Sequence, residues 1–267
     1  MIVVGGTNNI AFGTGILTER THAIFHTKQN SPLRYHYDSA ETLLFELTLR
    51  SNIVEAARAL SRSGAYFADF QHSFCNPVYW ERTKEGKFRL RSGASSHDAI
   101  QDIFANGTAY AFECSMAVIV VLHKGILDTI EERHYEALFA DLFLFDENAN
   151  RRLQLIDRRP IQEAVAGDIL YVQNPDYDPT IPWAKGENVV MLDNGRFFGH
   201  GYGMGVASAE DVMTILNKQR LPESTISASF TDRFVHPDFA YFAQWARRGY
   251  NQPLIATIGD WMHVEKI

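Results

Sequence analysis

The chain has 267 residues, with 25 Lys and Arg against 32 Asp and Glu, a net charge of -7 and a pI of about 5.8. That balance argues against nucleic acid or an anionic membrane as a main partner. A hydrophobic content of 46% with 18 Phe allows one large core, so a single domain over residues 1–267 is expected. Only Cys75 and Cys114 carry sulfhydryls, and no Cys/His pair has metal-ligand spacing, so neither a disulfide framework nor a bound metal is expected. The opening Met-Ile-Val-Val-Gly-Gly lacks a basic region and a long apolar run, and Met116–Leu122 is far short of a membrane span. A soluble chain, made in the cytoplasm, is the expectation.

Residues 1–37 read as an irregular lead with one short strand at Ile2–Val4. Asp38-Ser-Ala-Glu41 has the form of a capping box opening a helix to about Ser61, with Phe45, Leu49, Ile53, Ala56 and Leu60 on its core face and Gly64 beyond its end. Tyr79–Lys84 and Lys87–Arg91 flank Glu85-Gly86 as a hairpin, and a short helix at about Ser96–Phe104 stops at Asn106-Gly107. Ala117–Leu122 is Val- and Ile-rich and fits a buried helix or a strand, but continuation through Leu127 and Ile130 favours helix from Cys114 onward. Another helix is expected over about Glu131–Ala140. Short strands follow at Leu142–Phe145, Leu153–Ile156, Asp168–Gln173, Glu187–Leu192 and Phe197–Gly199, the last two joined by the turn Asp193-Asn-Gly195. Ser208-Ala-Glu-Asp211 caps a helix to about Gln219, and 221–267 gives no clear motif. Helices first and an antiparallel meander second is the α+β pattern.

Cys114 opens the most apolar run in the chain, directly after Glu113. A thiol at a helix start faces unpaired N–H groups and a positive dipole end, which lower its pKa; taken alone, it reads first as a buried structural cysteine, and the residues that follow it change that. Glu187 opens a strand, and His200 closes the next one within Gly199-His-Gly-Tyr-Gly203, so the hairpin leaves both at one end of the sheet. Helix-borne Cys with strand-borne partners is the papain-like arrangement. Asp146-Glu-Asn-Ala-Asn150 starts like a calcium loop, but Arg151 stands where such loops need Gly and Asp157 where they need Glu, so it reads as a polar turn.

Several blocks in order carry a resemblance: Phe45-Glu-Leu-Thr-Leu-Arg-Ser-Asn-Ile53, Tyr79-Trp80, Ala111-Phe-Glu-Cys114, Asp168-Ile-Leu-Tyr171, Asn174-Pro-Asp-Tyr-Asp-Pro179, Trp183 with Gly186-Glu-Asn188, and Phe198-Gly-His-Gly-Tyr-Gly203. Over roughly 33–219 the chain is similar to the protein-glutamine γ-glutamyltransferases of spore-forming bacilli, the spore-coat transglutaminases. The lead around 5–30 and the tail from about 221 match poorly, and Asp146–Arg151 lacks the aromatic residue the family has there.

The resemblance implies a single catalytic domain with a papain-like core, its Cys at the N-terminus of a central helix packed on an antiparallel sheet. It implies a calcium-independent enzyme that joins Gln and Lys side chains of spore-coat proteins through ε-(γ-glutamyl)-lysine bonds; no cofactor is expected, and a monomer is the expectation although the sequence does not show the oligomeric state. Cys114 carries over as nucleophile, Glu187 as its acid/base partner, Glu113 as an assisting carboxylate and His200 as a third polar group. Trp183, Phe112 and Tyr110 are candidates for an apolar passage that keeps water from a thioester. A papain-like peptidase or amidase, with water as acceptor, is the alternative.

The identity of the base stays open at this level. With ordinary pKa values, moving a proton from Cys (~8.5) to Glu (~4.3) is uphill by about 5.7 kcal/mol, and to His (~6.5) by about 2.7 kcal/mol. Glu187 competes only where burial beside Trp183 raises its pKa by several units.

Overall fold

The computed structural model describes residues 1–144, 151–247 and 254–265. The polar turn at Asp146–Asn150 and the family departure there lie outside the described residues. The first 37 residues are more ordered than the irregular lead expected. They form β1 (Ile2–Val4), β2 (Asn9–Phe12), α1 (Glu19–Asn30) and β3 (Tyr35–Tyr37), with β1 and β3 paired in parallel. Thr18 caps α1, but the helix buries only Thr21, Ile24 and Lys28, so no apolar stripe marks it in the sequence.

Ser39, in extended conformation, caps α2 (Ala40–Leu60) by accepting Thr42 N–H, one residue later than the Asp38–Glu41 box. There follow β4 (Tyr66–Phe67), the antiparallel hairpin β5 (Trp80–Arg82) and β6 (Phe88–Leu90), α3 (Ser96–Ala105), β7 (Ala111–Phe112) and α4 (Cys114–Thr129). From Met116 to Leu122, α4 is at most 1% exposed on every face. That is why the periodicity of this run could not separate helix from strand. A Cβ on Gly125 would fall 2.6 Å from Ile53 Cγ1, so glycine is what lets α4 lie this close to α2.

After α5 (Glu132–Leu138) and β8 (Phe143–Leu144) come β9 (Leu155–Arg158), β10 (Ile169–Gln173), β11 (Gly186–Met191), β12 (Arg196–Gly199), β13 (Gly205–Ser208), α6 (Ala209–Asn217), β14 (Ser229–Pro237), α7 (Phe239–Ala243), β15 (Leu254–Ile258) and β16 (Trp261–Glu265). Six strands form one antiparallel sheet in the order β13-β12-β11-β10-β14-β9. Its alternating side chains serve two cores. Ile169, Val190, Phe198 and Val235 pack with α2 and α4, whereas Leu170, Val172, Val189 and Phe234 pack with Val212 and Leu216 of α6. The frame is therefore a papain-like α+β fold, with a buried central helix against an antiparallel sheet. The tail without a motif supplies β14, the strand between β10 and β9, and the β15–β16 hairpin, which adds in parallel to β2.

Candidate active site

Glu113 precedes α4 as its N-cap: one carboxylate oxygen accepts Ser115 N–H at 2.8 Å, and the other accepts the Cys114 thiol at 2.9 Å. Cys114 is 3% exposed. The thiol is not made acidic by the helix start, as the sequence suggested. Burial first, then the charges of Glu187 and Glu113, push it well above the ordinary cysteine value, opposed by the Asn188 backbone N–H. At rest the sulfur holds its proton.

The β11–β12 hairpin delivers the partners. Asn194 and Gly195 both take left-handed φ, 56° and 67°, as the tight turn requires. Pairing of Val189 with Gly199 then puts Glu187 opposite the chain leaving β12. Glu187 Oε1 accepts His200 N–H at 2.9 Å and Gly201 N–H at 3.0 Å. A Cβ on Gly201 would lie 2.4 Å from Glu187 Oε2, so a side chain there would displace the carboxylate. Glu187 is 1% exposed, and that burial raises its pKa to about 8, helped by the charge of Glu113 and opposed by the two N–H groups and by Cys114.

His200 has moved the other way. Burial lowers its pKa to about 4, and its Nε2–H donates to Tyr66 O at 3.0 Å. Its ring stacks on Phe112, with centroids 4.8 Å apart and planes at 21°. The order of basicity read from ordinary values is thus inverted: about 8 for Glu187 against about 4 for His200.

Cys114, Glu113, Glu187 and His200 are brought together, with Phe112 behind the imidazole. Trp183 lies partly exposed in the single turn Pro182–Lys185 that enters β11. Tyr110 is not brought to the thiol. It is fully buried and its hydroxyl goes to Asp102, the partner a phenol in this core needs. Asn188 is the residue that reasoning from sequence passed over. Its backbone N–H bonds the sulfur and its Nδ2 lies 3.7 Å from Sγ. It stood inside the quoted Gly186-Glu-Asn188, but only the register of β11 turns it toward Cys114.

A thiol at a buried helix start, with two carboxylates and an amide around it on an α+β frame, defines the class: a papain-like thiol fold. The particular family follows from comparison with known proteins. The chain belongs to the protein-glutamine gamma-glutamyltransferase family, whose model matches residues 1–246, well beyond the span of 33–219 that the motifs cover. It is 41% identical over 225 residues to the protein-glutamine gamma-glutamyltransferase of Bacillus mycoides (strain KBAB4), covering 84% of this chain and 80% of that one. With the enzyme of the same name from Halalkalibacterium halodurans it shares 39% identity over 202 residues, covering 76% and 70%. The solved transglutaminase from Geobacillus stearothermophilus, without its C-terminal extension, superposes with a TM-score of 0.75 at 39% identity, covering 78% of this chain and 99% of that one. Protein-glutamine γ-glutamyl transfer is accordingly its activity and proteins are its substrates. Among the described residues no helix is long and apolar enough to cross a membrane.

Proposed function

We propose that Cys114 is the nucleophile of this transfer, that Glu187 is its general base and acid, and that the reaction runs through a thioester. The thiol proton passes to Glu187 as Sγ attacks the glutamine carboxamide carbon. A C–S bond forms, the C–N bond breaks, and Glu187 returns the proton to the nitrogen, which leaves as ammonia. A neutral lysine amine then attacks the thioester carbon. The isopeptide C–N bond forms, the C–S bond breaks, and the amine proton returns through Glu187 to sulfur. Glu113 holds the helix start and orients the thiol, His200 fixes the Glu187 turn through its backbone, and Phe112 and Trp183 wall the passage against water.

The observation that carries this reading is a second buried carboxylate, Glu187, close enough to Cys114 to raise the thiol's pKa by its charge, with its own pKa raised to about 8. The groups around the sulfur come from α4 and the β11–β12 hairpin, which share one core, and this supports a single catalytic domain. The nearest carboxylates are occupied by the thiol and N–H donors, which supports turnover without calcium; EDTA is expected to leave the rate unchanged. On the resemblance of the motifs, the natural substrates are spore-coat proteins, and coat extracts from a strain lacking the gene are expected to lose cross-linked species of high mass. The test of the chemistry is intact mass spectrometry with a glutamine peptide and no amine. Cys114 should gain the peptide mass less ammonia, and Cys114→Ala should gain nothing; an adduct that survives in Cys114→Ala contradicts the reading.

A further inference from the structure

Two features of Tyr202 disfavour the folded state. Its backbone is left-handed, with φ 55° and ψ 26°, a conformation that a bulky side chain rarely takes. Its ring is partly exposed, yet its hydroxyl is buried and makes no hydrogen bond among the described residues. A buried polar group left unpaired destabilises a fold, and phenylalanine would fill almost the same space without that penalty. Backbone strain of this kind persists where the surroundings impose it, and it clusters at sites of function.

The surroundings here are those of the thiol. Tyr202 follows Gly201, whose N–H donates to Glu187, and its ring stacks on Phe67 with centroids 5.6 Å apart and planes at 28°. Phe67 in turn meets the His200 ring edge-on and stands in register with Phe112, two positions before Cys114. Burial first, then the charges of Glu187, Cys114 and Glu113, keep the Tyr202 proton in place well above the ordinary tyrosine range, so this is a donor that does not ionise. The other polar groups of the resting site are matched: the thiol donates to Glu113 and is faced by Asn188, and Glu187 accepts two N–H groups. The atom still in need of a donor arrives with the substrate. It is the carboxamide oxygen, which takes up the carbonyl electron pair as Sγ adds to the carbon and gives it back as ammonia leaves. We infer that the Tyr202 hydroxyl donates a hydrogen bond to this oxygen in the tetrahedral adducts formed first with glutamine and then with lysine. The inference rests on the reading of Cys114 as the nucleophile. No proton changes hands in it: Glu187 moves the proton, and Tyr202 stabilises the charge. Cys114 is itself only 3% exposed, so a donor that serves it is sheltered with it.

Tyr202→Phe keeps the ring and its stack on Phe67 and removes only the donor. Acylation by a glutamine peptide, read as single-turnover ammonia release without amine, is expected to slow by about 10²-fold, with the half-saturating peptide concentration changed less than about twofold. Iodoacetamide alkylates Cys114 by displacing iodide from a saturated carbon and puts no charge on oxygen, so its rate should stay within about twofold of the wild type. Tm should equal or exceed that of the wild type, because an unpaired buried hydroxyl has been removed. Acylation at the wild-type rate, alkylation slowed as much as acylation, or a lower Tm would each overturn the inference. Cys114→Ala is run in parallel: ammonia released there at the wild-type rate would sink the nucleophile assignment instead, so the two failures are separable.

Discussion

One proton, divided between a sulfur and a carboxylate, governs the chemistry at Cys114. Burial raises the affinity of both groups for it, whereas burial lowers that of His200. The candidates were legible from their motifs, but the choice between Glu187 and His200 was not. It depends on which side chain loses its water and on His200 spending its Nε2–H on Tyr66 O. Glu187→Gln is therefore expected to lower the acylation rate by at least 10²-fold, the range for a lost general base, and His200→Gln by less than tenfold, both read by stopped-flow ammonia release. Asn188 donates to sulfur, so Asn188→Ala removes one hydrogen bond to the thiolate as it forms. A loss of about tenfold in kcat, with KM little changed and slower alkylation by iodoacetamide, is the expected outcome.

Elements far from the thiol hold the hairpin that carries Glu187. Arg20 of α1 and Arg58 of α2 both bind Asp193 in the β11–β12 turn, so the two helices fix where the hairpin starts. A second set of inter-element charges is deeper: Glu46 and Arg50 of α2, Lys28 of α1 and Asp168 before β10 form a buried chain of ion pairs. Lys28 and Arg50 hold the Glu46 carboxyl well below its ordinary range although burial alone would raise it. Removing Glu46 leaves the buried Lys28 without its carboxylate and Arg50 with Asp168 alone. Glu46→Gln is expected to destabilise by about 3–5 kcal/mol, and Asp193→Ala, whose pairs are partly exposed, by about 1 kcal/mol in a salt-dependent way. Urea titration checks both; similar values would contradict this ranking. This clamp also shows what the sequence conceals. α2, α4 and α6 were readable from caps and apolar runs, but α1 is polar nearly all round, and its role depends on ion pairs between residues such as Lys28 and Glu46 that lie 18 positions apart. β14 was hidden for another reason: the bulge at 231–233 breaks the alternation that would have marked a strand.

Over the whole molecule, the α+β order of helices followed by an antiparallel sheet was visible in the sequence, whereas the addition of β15 and β16 to β2 joins ends that no local pattern links. The buried base also marks global stability. Glu187 has its folded pKa raised from the ordinary 4.5 to about 8, so the stabilisation of its protonated form is complete below pH 4.5 and is lost as pH rises through about 8. The loss is on the order of 3–5 kcal/mol. Thermal melts of Glu187→Gln are expected to match the wild type near pH 5 and to exceed it by several degrees at pH 9; the reverse order would contradict a buried, reluctant carboxylate. The most direct measurement is the pH dependence of kcat/KM for acylation alone, followed as ammonia release without amine, in the wild type and in Glu187→Gln. The wild type should rise with a midpoint near pH 8 and the variant should lack that limb. A midpoint near 6.5, or the same limb in both proteins, would contradict the assignment of Glu187 as the base.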